Sequence, residues 1–120
     1  MNTKILIVED DPITQLAYAD SITTNADCFF VKTTSRAQAF MSLEKPDMIF
    51  LDLGLPDGDG LDIIQSLSGY FEKGAIPVVV VTSSTNPERH QNALEMGARA
   101  VITKPFEADE IRNAIAQYCL

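Results

Sequence analysis

The sequence is poor in several things at once. Of its 120 residues only 2 are Cys, 1 is His and none is Trp. Cys28 and Cys119 stand almost a full chain apart with no C-x-x-C spacing, which sets aside zinc and a disulfide scaffold and leaves two ordinary thiols. Positive charge is scarce as well: 9 Lys plus Arg face 17 Asp plus Glu, giving a formal net charge of −8 and a pI near 4.4. Phosphate backbones are gripped by clustered Lys and Arg, so direct nucleic-acid binding is not expected, while a metal ion or a basic protein surface suits the charge. Apolar runs such as Val78–Val81 fall far short of the roughly 20 residues that cross a bilayer. Met1-Asn2-Thr3-Lys4 leads straight into Ile5-Leu6-Ile7-Val8 and three acids, with no signal-peptide core or small-residue cleavage site. No membrane partner and a soluble, cytoplasmic-type domain are the expectation.

What is present is ordinary globular material, 46% hydrophobic and 22% charged. With no repeat, low-complexity tract or linker, residues 1–120 read as one domain, long enough to bury a core. Five short apolar, β-branched runs alternate with segments of helical spacing. The strands are predicted at Lys4–Val8, Cys28–Thr33, Met48–Leu53, Val78–Thr82 and Ala100–Thr103. Ile5–Val8, Ile49–Leu51 and Val78–Val81 are continuously apolar, as central strands covered on both faces must be. Cys28–Thr33 turns polar at its end and suits a sheet edge. Asp11-Pro12 and Asn86-Pro87 each pair an N-cap with proline at the first helical position. Ser35 is read as the cap of a second helix with Ala39, Phe40 and Leu43 on its apolar face, stopped by Lys45-Pro46. Leu61, Ile64 and Leu67 mark a third helix ended by Gly69, and Ala93, Leu94 and Met96 close a fourth before Gly97. Ile111, Ala114, Ile115 and Tyr118 line a fifth. Such alternation implies parallel pairing through right-handed crossovers, an α/β sheet with helices on both faces.

Ligands in sheets of this kind bind beyond the carboxyl ends of the strands. After the first strand come Glu9, Asp10 and Asp11; near the end of the third stands Asp52, before the loop Gly54-Leu55-Pro56-Asp57-Gly58-Asp59-Gly60; the fourth ends in Thr82, Ser83 and Ser84; the fifth runs out into Lys104-Pro105-Phe106. Carboxylates, a hydroxyl and an ammonium thus converge on one edge. Two carboxylates about 4 Å apart repel by roughly 4 kcal/mol at an effective dielectric near 20, so Glu9, Asp10 and Asp52 call for a cation or protonation. Oxygen donors without His or Cys point to Mg²⁺, Mn²⁺ or Ca²⁺. A hydroxyl and a lysine beside such an ion resemble an anion clamp, and the combination suits phosphoryl transfer to an aspartate.

At these residues the chain resembles a response-regulator receiver domain of bacterial two-component signalling, chemotaxis-regulator-like, over all 120 residues. Leu6-Ile7-Val8-Glu9-Asp10-Asp11 resembles the family's acidic pocket, and Phe50–Gly60 its phosphoacceptor strand and loop. Val80-Val81-Thr82-Ser83 resembles the hydroxyl position; Gly97-Ala98 and Thr103-Lys104-Pro105-Phe106 resemble the closing motif. The resemblance implies a flavodoxin-like (βα)5 doubly wound fold with a five-stranded parallel sheet in order 2-1-3-4-5. It makes Asp52 the phosphoacceptor and implies Mg²⁺, with Mn²⁺ as an alternative, on Asp10, Asp52 and the backbone carbonyl of Gly54, with Glu9 acting through water. It gives Thr82 and Lys104 to the phosphoryl group, makes the Lys104-Pro105 bond cis, and assigns Gly54 and Ser84 to tuning of dephosphorylation. Where the family often carries Tyr or Phe as a switch, this chain has Val101, so readout is expected through backbone movement near Thr82 to Thr85. The implied partners are a sensor histidine kinase or phosphotransfer protein and a downstream output domain or protein. They meet the surface of the fourth helix, fifth strand and fifth helix, with a homodimer on phosphorylation left open.

Several other residues have plainer readings. Asp57, Asp59 and Asp62 read as a solvated turn and helix start, because Leu61 and Ser68 break an EF-hand pattern. His90 reads as a solvated surface residue, Tyr18, Tyr70 and Phe71 as packing residues, and Asp11 as a cap before a ligand. A haloacid-dehalogenase-type phosphatase would need Asp-x-Asp directly after a strand, and Asp52 is followed by Leu53 and Gly54. A flavin or dinucleotide site would need a glycine-rich loop where Glu9-Asp10-Asp11 stands. The function expected is therefore a phosphorylation switch and not a turnover enzyme, with an unphosphorylated pseudo-receiver scaffold as the alternative.

Overall fold

The computed structural model describes residues 3–119; the outermost residues of the predicted 1–120 domain lie outside that range. The predicted runs become β1 (Thr3–Val8), β2 (Ala26–Val31), β3 (Met48–Leu51), β4 (Val78–Thr82) and β5 (Ala100–Thr103). They form one parallel sheet in the order β2-β1-β3-β4-β5, the flavodoxin-like winding expected. The helices are α1 (Pro12–Ser21), α2 (Thr34–Leu43), α3 (Leu61–Ser66), α4 (Pro87–Glu95) and α5 (Ala108–Tyr118). A hairpin of Gly54–Leu55 against Gly58–Asp59 follows β3, and a 3-10 turn, Leu67–Gly69, extends α3. No helix among the described residues is long and apolar enough to cross a membrane.

The unbroken apolar strands serve two cores at once, because successive side chains point to opposite faces. Leu6, Val8, Ile49, Leu51, Val78 and Val80 meet Ala37, Met41, Ile63 and Ala93 from α2, α3 and α4 on one face. Ile5, Ile7, Met48, Phe50, Val79 and Val81 meet Tyr18, Ile111 and Ala114 from α1 and α5 on the other.

The two Asx-Pro caps are present. Asp11 accepts from the Thr14 amide at 3.1 Å and Asn86 from the Glu88 amide at 2.9 Å, each with proline opening the helix. Gly97 takes a φ of 118° just past α4, a conformation that favours glycine.

Five local expectations shift. β2 covers Ala26–Val31, not Cys28–Thr33, because Thr33 has left the sheet to cap α2: its Oγ1 accepts from the Arg36 amide at 3.1 Å. Thr33, and not Ser35, is thus the cap. α2 buries Ala37 and Met41, with Phe40 packed on Phe29 at a ring separation of 5.1 Å, while Ala39 faces solvent and Leu43 is 85% exposed. β3 stops at Leu51: the Asp52 amide still donates to the Val8 carbonyl at 3.0 Å, after which the chain turns into the hairpin. α4 buries Ala93 alone, leaving Leu94 and Met96 largely exposed.

Candidate functional site

The polar residues that follow the strands meet at the carboxyl edge of the sheet. Glu9 follows β1 and is 1% exposed; Asp52 follows β3 and is 7% exposed; Thr82 closes β4 and is 3% exposed. Lys104 follows β5, its amide bonded to the Thr82 carbonyl at 2.8 Å, and the Lys104–Pro105 peptide bond is cis. The lysine side chain reaches back over the sheet, placing Nζ 2.5 Å from Glu9 Oε1 and 3.1 Å from Asp52 Oδ2. Glu9 is fixed from behind as well, its Oε2 accepting from the Asp11 amide at 3.1 Å and its carbonyl from Gln15 Nε2 at 2.7 Å. The Gly54 amide donates to Asp52 Oδ1 at 3.3 Å. The Ser84 amide donates to Thr82 Oγ1 at 3.1 Å, which ties the β4–α4 loop to that hydroxyl.

Electrostatics sets the character of this pocket. Burial, reinforced by the Asp52 charge, raises the Glu9 carboxyl above the usual glutamate range even though Lys104 and the Asp11 amide act the other way. Burial works against the Lys104 charge too, but ion pairing with Glu9 and Asp52 outweighs it and lifts the ammonium above its ordinary value. One ammonium cannot balance three carboxylates. Donor oxygens of Glu9, Asp10 and Asp52 lie within 4.8 Å of one another. Buried Glu9 Oε1 faces Lys104 as an ion pair yet receives no aligned hydrogen bond. An all-oxygen donor set with a residual negative charge fits a hard divalent cation.

Two expected residues stand apart from this cluster. Asp11 is exposed and turned to Thr14, whose hydroxyl and amide lower its carboxyl pKa. Val101 is half-buried against the core that α2 and α3 cover.

The loop after Asp52 proves more tied down than its composition suggests. Asp57 accepts from the Thr34 amide at 2.8 Å, the Thr34 hydroxyl at 2.9 Å and the Ser35 amide at 3.1 Å, so it binds the start of α2 where a solvated turn was read. Asp59 accepts from the Leu61 amide at 3.0 Å and grips Arg89 through two parallel hydrogen bonds of 2.8 and 3.0 Å. His90, read as solvated, is half-buried with Nε2 2.6 Å from the Ser84 carbonyl. Nothing local in the sequence signals these contacts; the acid-rich loop itself was the one available hint.

Arg89 holds the Asp59 carboxyl below the ordinary aspartate value of 3.8. Its contribution to stability is therefore present above that value and is lost as pH falls through the lower folded one. The melting midpoint of Asp59→Asn should lie below wild type near neutrality and converge on it toward about pH 2. A gap that stays constant across that range would exclude ionisation of Asp59 as its source.

The doubly wound sheet with an acid, hydroxyl and lysine pocket at its carboxyl edge defines a class, and comparison with known proteins names it. A family model for the response regulator receiver domain matches residues 5–116. The transcriptional regulatory protein KdpE of Staphylococcus aureus is 40% identical over 119 residues, covering 96% of this chain and 49% of that protein. Sporulation initiation phosphotransferase F of Bacillus subtilis is 30% identical, covering 98% of this chain and 94% of that one. The BeF3-activated N-terminal receiver domain of RstA from Klebsiella pneumoniae superimposes with a TM-score of 0.84 at 31% identity, covering 98% of both chains. The signal receiver domain of a putative Luxo repressor protein from Vibrio parahaemolyticus does so with 0.91 at 27%, covering 99% of this chain and 91% of that one. The chain belongs to the response-regulator receiver family of two-component signalling. It spans about half the length of regulators such as KdpE and DctR that it matches.

Proposed function

We propose that residues 1–120 act as one phosphoacceptor unit, and that Asp52 takes a phosphoryl group from the phosphohistidine of a sensor kinase or phosphotransfer protein. The observation that carries this reading is the Lys104 ammonium held 3.1 Å from Asp52 Oδ2 between buried carboxylates. Asp10, Asp52 and the Gly54 carbonyl would hold Mg²⁺ (or Mn²⁺), with Glu9 acting through water. When bound, the ion neutralises charge that builds on the phosphoryl oxygens. Asp52 supplies the attacking oxygen; its bond to phosphorus forms as the donor's P–N bond breaks, and the electron pair returns to the imidazole nitrogen. Lys104 pairs with one equatorial oxygen, and Thr82 donates its hydroxyl to another. Thr82 Oγ1 also accepts from the Ser84 amide, so a shift of the hydroxyl toward the phosphoryl group draws the loop after it. The β4–α4 loop then moves, and the surface of α4, β5 and α5 changes partner: an output domain, a separate protein or a second phosphorylated copy. Gly54 and Ser84, being small, leave water a path to the acyl phosphate, and its loss is a self-reaction of the domain and not enzymatic turnover. The domain works in the cytoplasm, without direct contact to nucleic acid or membrane.

Intact mass after incubation with acetyl phosphate tests the proposal. Wild type should gain one phosphoryl increment in Mg²⁺ and none in EDTA, and Asp52→Ala should gain none in either. An increment that survives in Asp52→Ala would move the phosphoacceptor elsewhere. No increment from acetyl phosphate, from a kinase panel, or as a beryllofluoride adduct would make the domain an unphosphorylated scaffold.

A further inference from the structure

Helix α4 is attached to the domain with little apolar help. Its 9 residues bury Ala93 alone, whereas α1, α2, α3 and α5 each bury two or three side chains. One alanine removes little apolar area from water, so polar ties decide where α4 lies. The strongest is the fork of Arg89 on Asp59, at 2.8 and 3.0 Å, a planar bidentate arrangement that sets orientation as well as distance. The contact of His90 Nε2 with the Ser84 carbonyl adds a second tie one residue along.

Asp59 is itself built into the site's loop. It pairs with Gly54 across the hairpin, its Oδ1 also accepts from the Leu61 amide, and the Gly54 amide donates to Asp52 Oδ1. A short relay therefore runs from Asp52 through Gly54 and Asp59 to Arg89, joining the phosphoacceptor loop to α4.

We infer that Arg89 is a positioning residue: by gripping Asp59 it fixes the Gly54 arm beside Asp52 and makes α4 respond to the charge state of the acidic pocket. This rests on the proposed function, in which Asp52 and the Gly54 carbonyl hold Mg²⁺. The route does not pass through position 101, where Val101 offers no ring to swing. Because coupling is reciprocal, a partner that seats on α4 and breaks the fork changes Mg²⁺ affinity by the factor with which Mg²⁺ changes its own.

The test is a Mg²⁺ titration of the unphosphorylated chain by calorimetry, with hydrogen exchange at the Asn92–Glu95 amides followed in parallel. Wild type should bind Mg²⁺, and binding should slow exchange in α4. Arg89→Gln should bind about 5-fold more weakly, a coupling at the lower end of the usual range, and its α4 exchange should no longer respond. Arg89→Lys keeps the charge without the fork and should fall between the two. Equal Mg²⁺ affinity and an equal α4 response in Arg89→Gln, even with a lower melting midpoint, would overturn the inference and leave Arg89 a stabilising residue only. Wild type that binds no Mg²⁺ would instead overturn the metal site, and the inference with it.

Discussion

Lys104→Met lowers the stability of the metal-free domain by about 3 kcal/mol, and Mg²⁺ gives most of it back. Removing one partner from a buried ion pair leaves the other charge without compensation, and here two are left. Glu9 is 1% exposed and the Asp52 side chain 10%, so water reaches neither well. In a domain of this size the loss corresponds to roughly 10 °C of melting temperature. The sign with pH follows from the shifts. Lys104 has a raised folded pKa, so its contribution is complete below the ordinary lysine value of 10.5 and fades only as pH rises through the higher folded one. Glu9 is raised as well and favours the protonated native state, so in wild type it makes stability fall as pH climbs above the ordinary glutamate value of 4.5. Without the lysine that decline steepens, since protonation is then the pocket's remaining relief. Melts in EDTA and in excess Mg²⁺, at about pH 5 and about pH 8, separate these effects. Coincident melts of variant and wild type in EDTA at the higher pH would mean that the ammonium does not neutralise the pocket.

Gly60→Ala costs about 3 kcal/mol, at the upper end of what overpacking usually costs. The dihedrals are not the obstacle: Gly60 sits at φ −57° and ψ −26°, open to any residue. The obstacle is space. A Cβ there would overlap the Asp52 carbonyl oxygen and stand 2.8 Å from Leu53 Cα, and neither backbone atom can swing aside as a side-chain tip does. The Gly60 amide also donates to the Leu53 carbonyl at 2.8 Å, so the start of α3 is pressed against the peptide that carries the phosphoacceptor. Relief must shift the Asp52–Leu53 peptide or the start of α3 against it, so phosphoryl uptake should fall along with stability. Gly69→Ala is the control, since a Cβ at that position meets nothing within 4 Å. Urea midpoints for the pair should differ by the full penalty. Equal midpoints would show that the loop yields freely.

Parallel strand pairing and the members of the acidic pocket were legible because each rests on a local pattern: an apolar run, an Asx-Pro cap, an acid just past a strand; the sheet order followed only from the family resemblance. Errors arose where two local solutions were nearly degenerate. Thr33 and Ser35 both carry a capping hydroxyl, and the sheet's need to release the chain after Val31 selected the first. On α2 the buried face is Ala37 and Met41, because Phe40 is drawn toward Phe29 and turns the helix so that Leu43 faces water. The contacts that were not legible join residues far apart in sequence. Asp57 to Thr34 spans 23 positions and Arg89 to Asp59 spans 30, and no composition or period records such a pairing. These are also the contacts that give the acid-rich loop a definite place.

The ring of Tyr18 lies 5.4 Å from that of Phe50 and 4.9 Å from that of Phe106, the second residue past Lys104. Its phenol is 1% exposed, and burial first, then the charges of Glu9 and Asp52, push its ionisation well above the ordinary value of 10.0. In a chain without tryptophan this leaves Tyr18, among its 3 tyrosines, as a solvent-shielded ring within the electrostatic reach of Asp52 and Glu9. With Tyr70 and Tyr118 replaced by Phe, the near-ultraviolet spectrum of Tyr18 is expected to shift when charge is added or cancelled at the edge of the sheet.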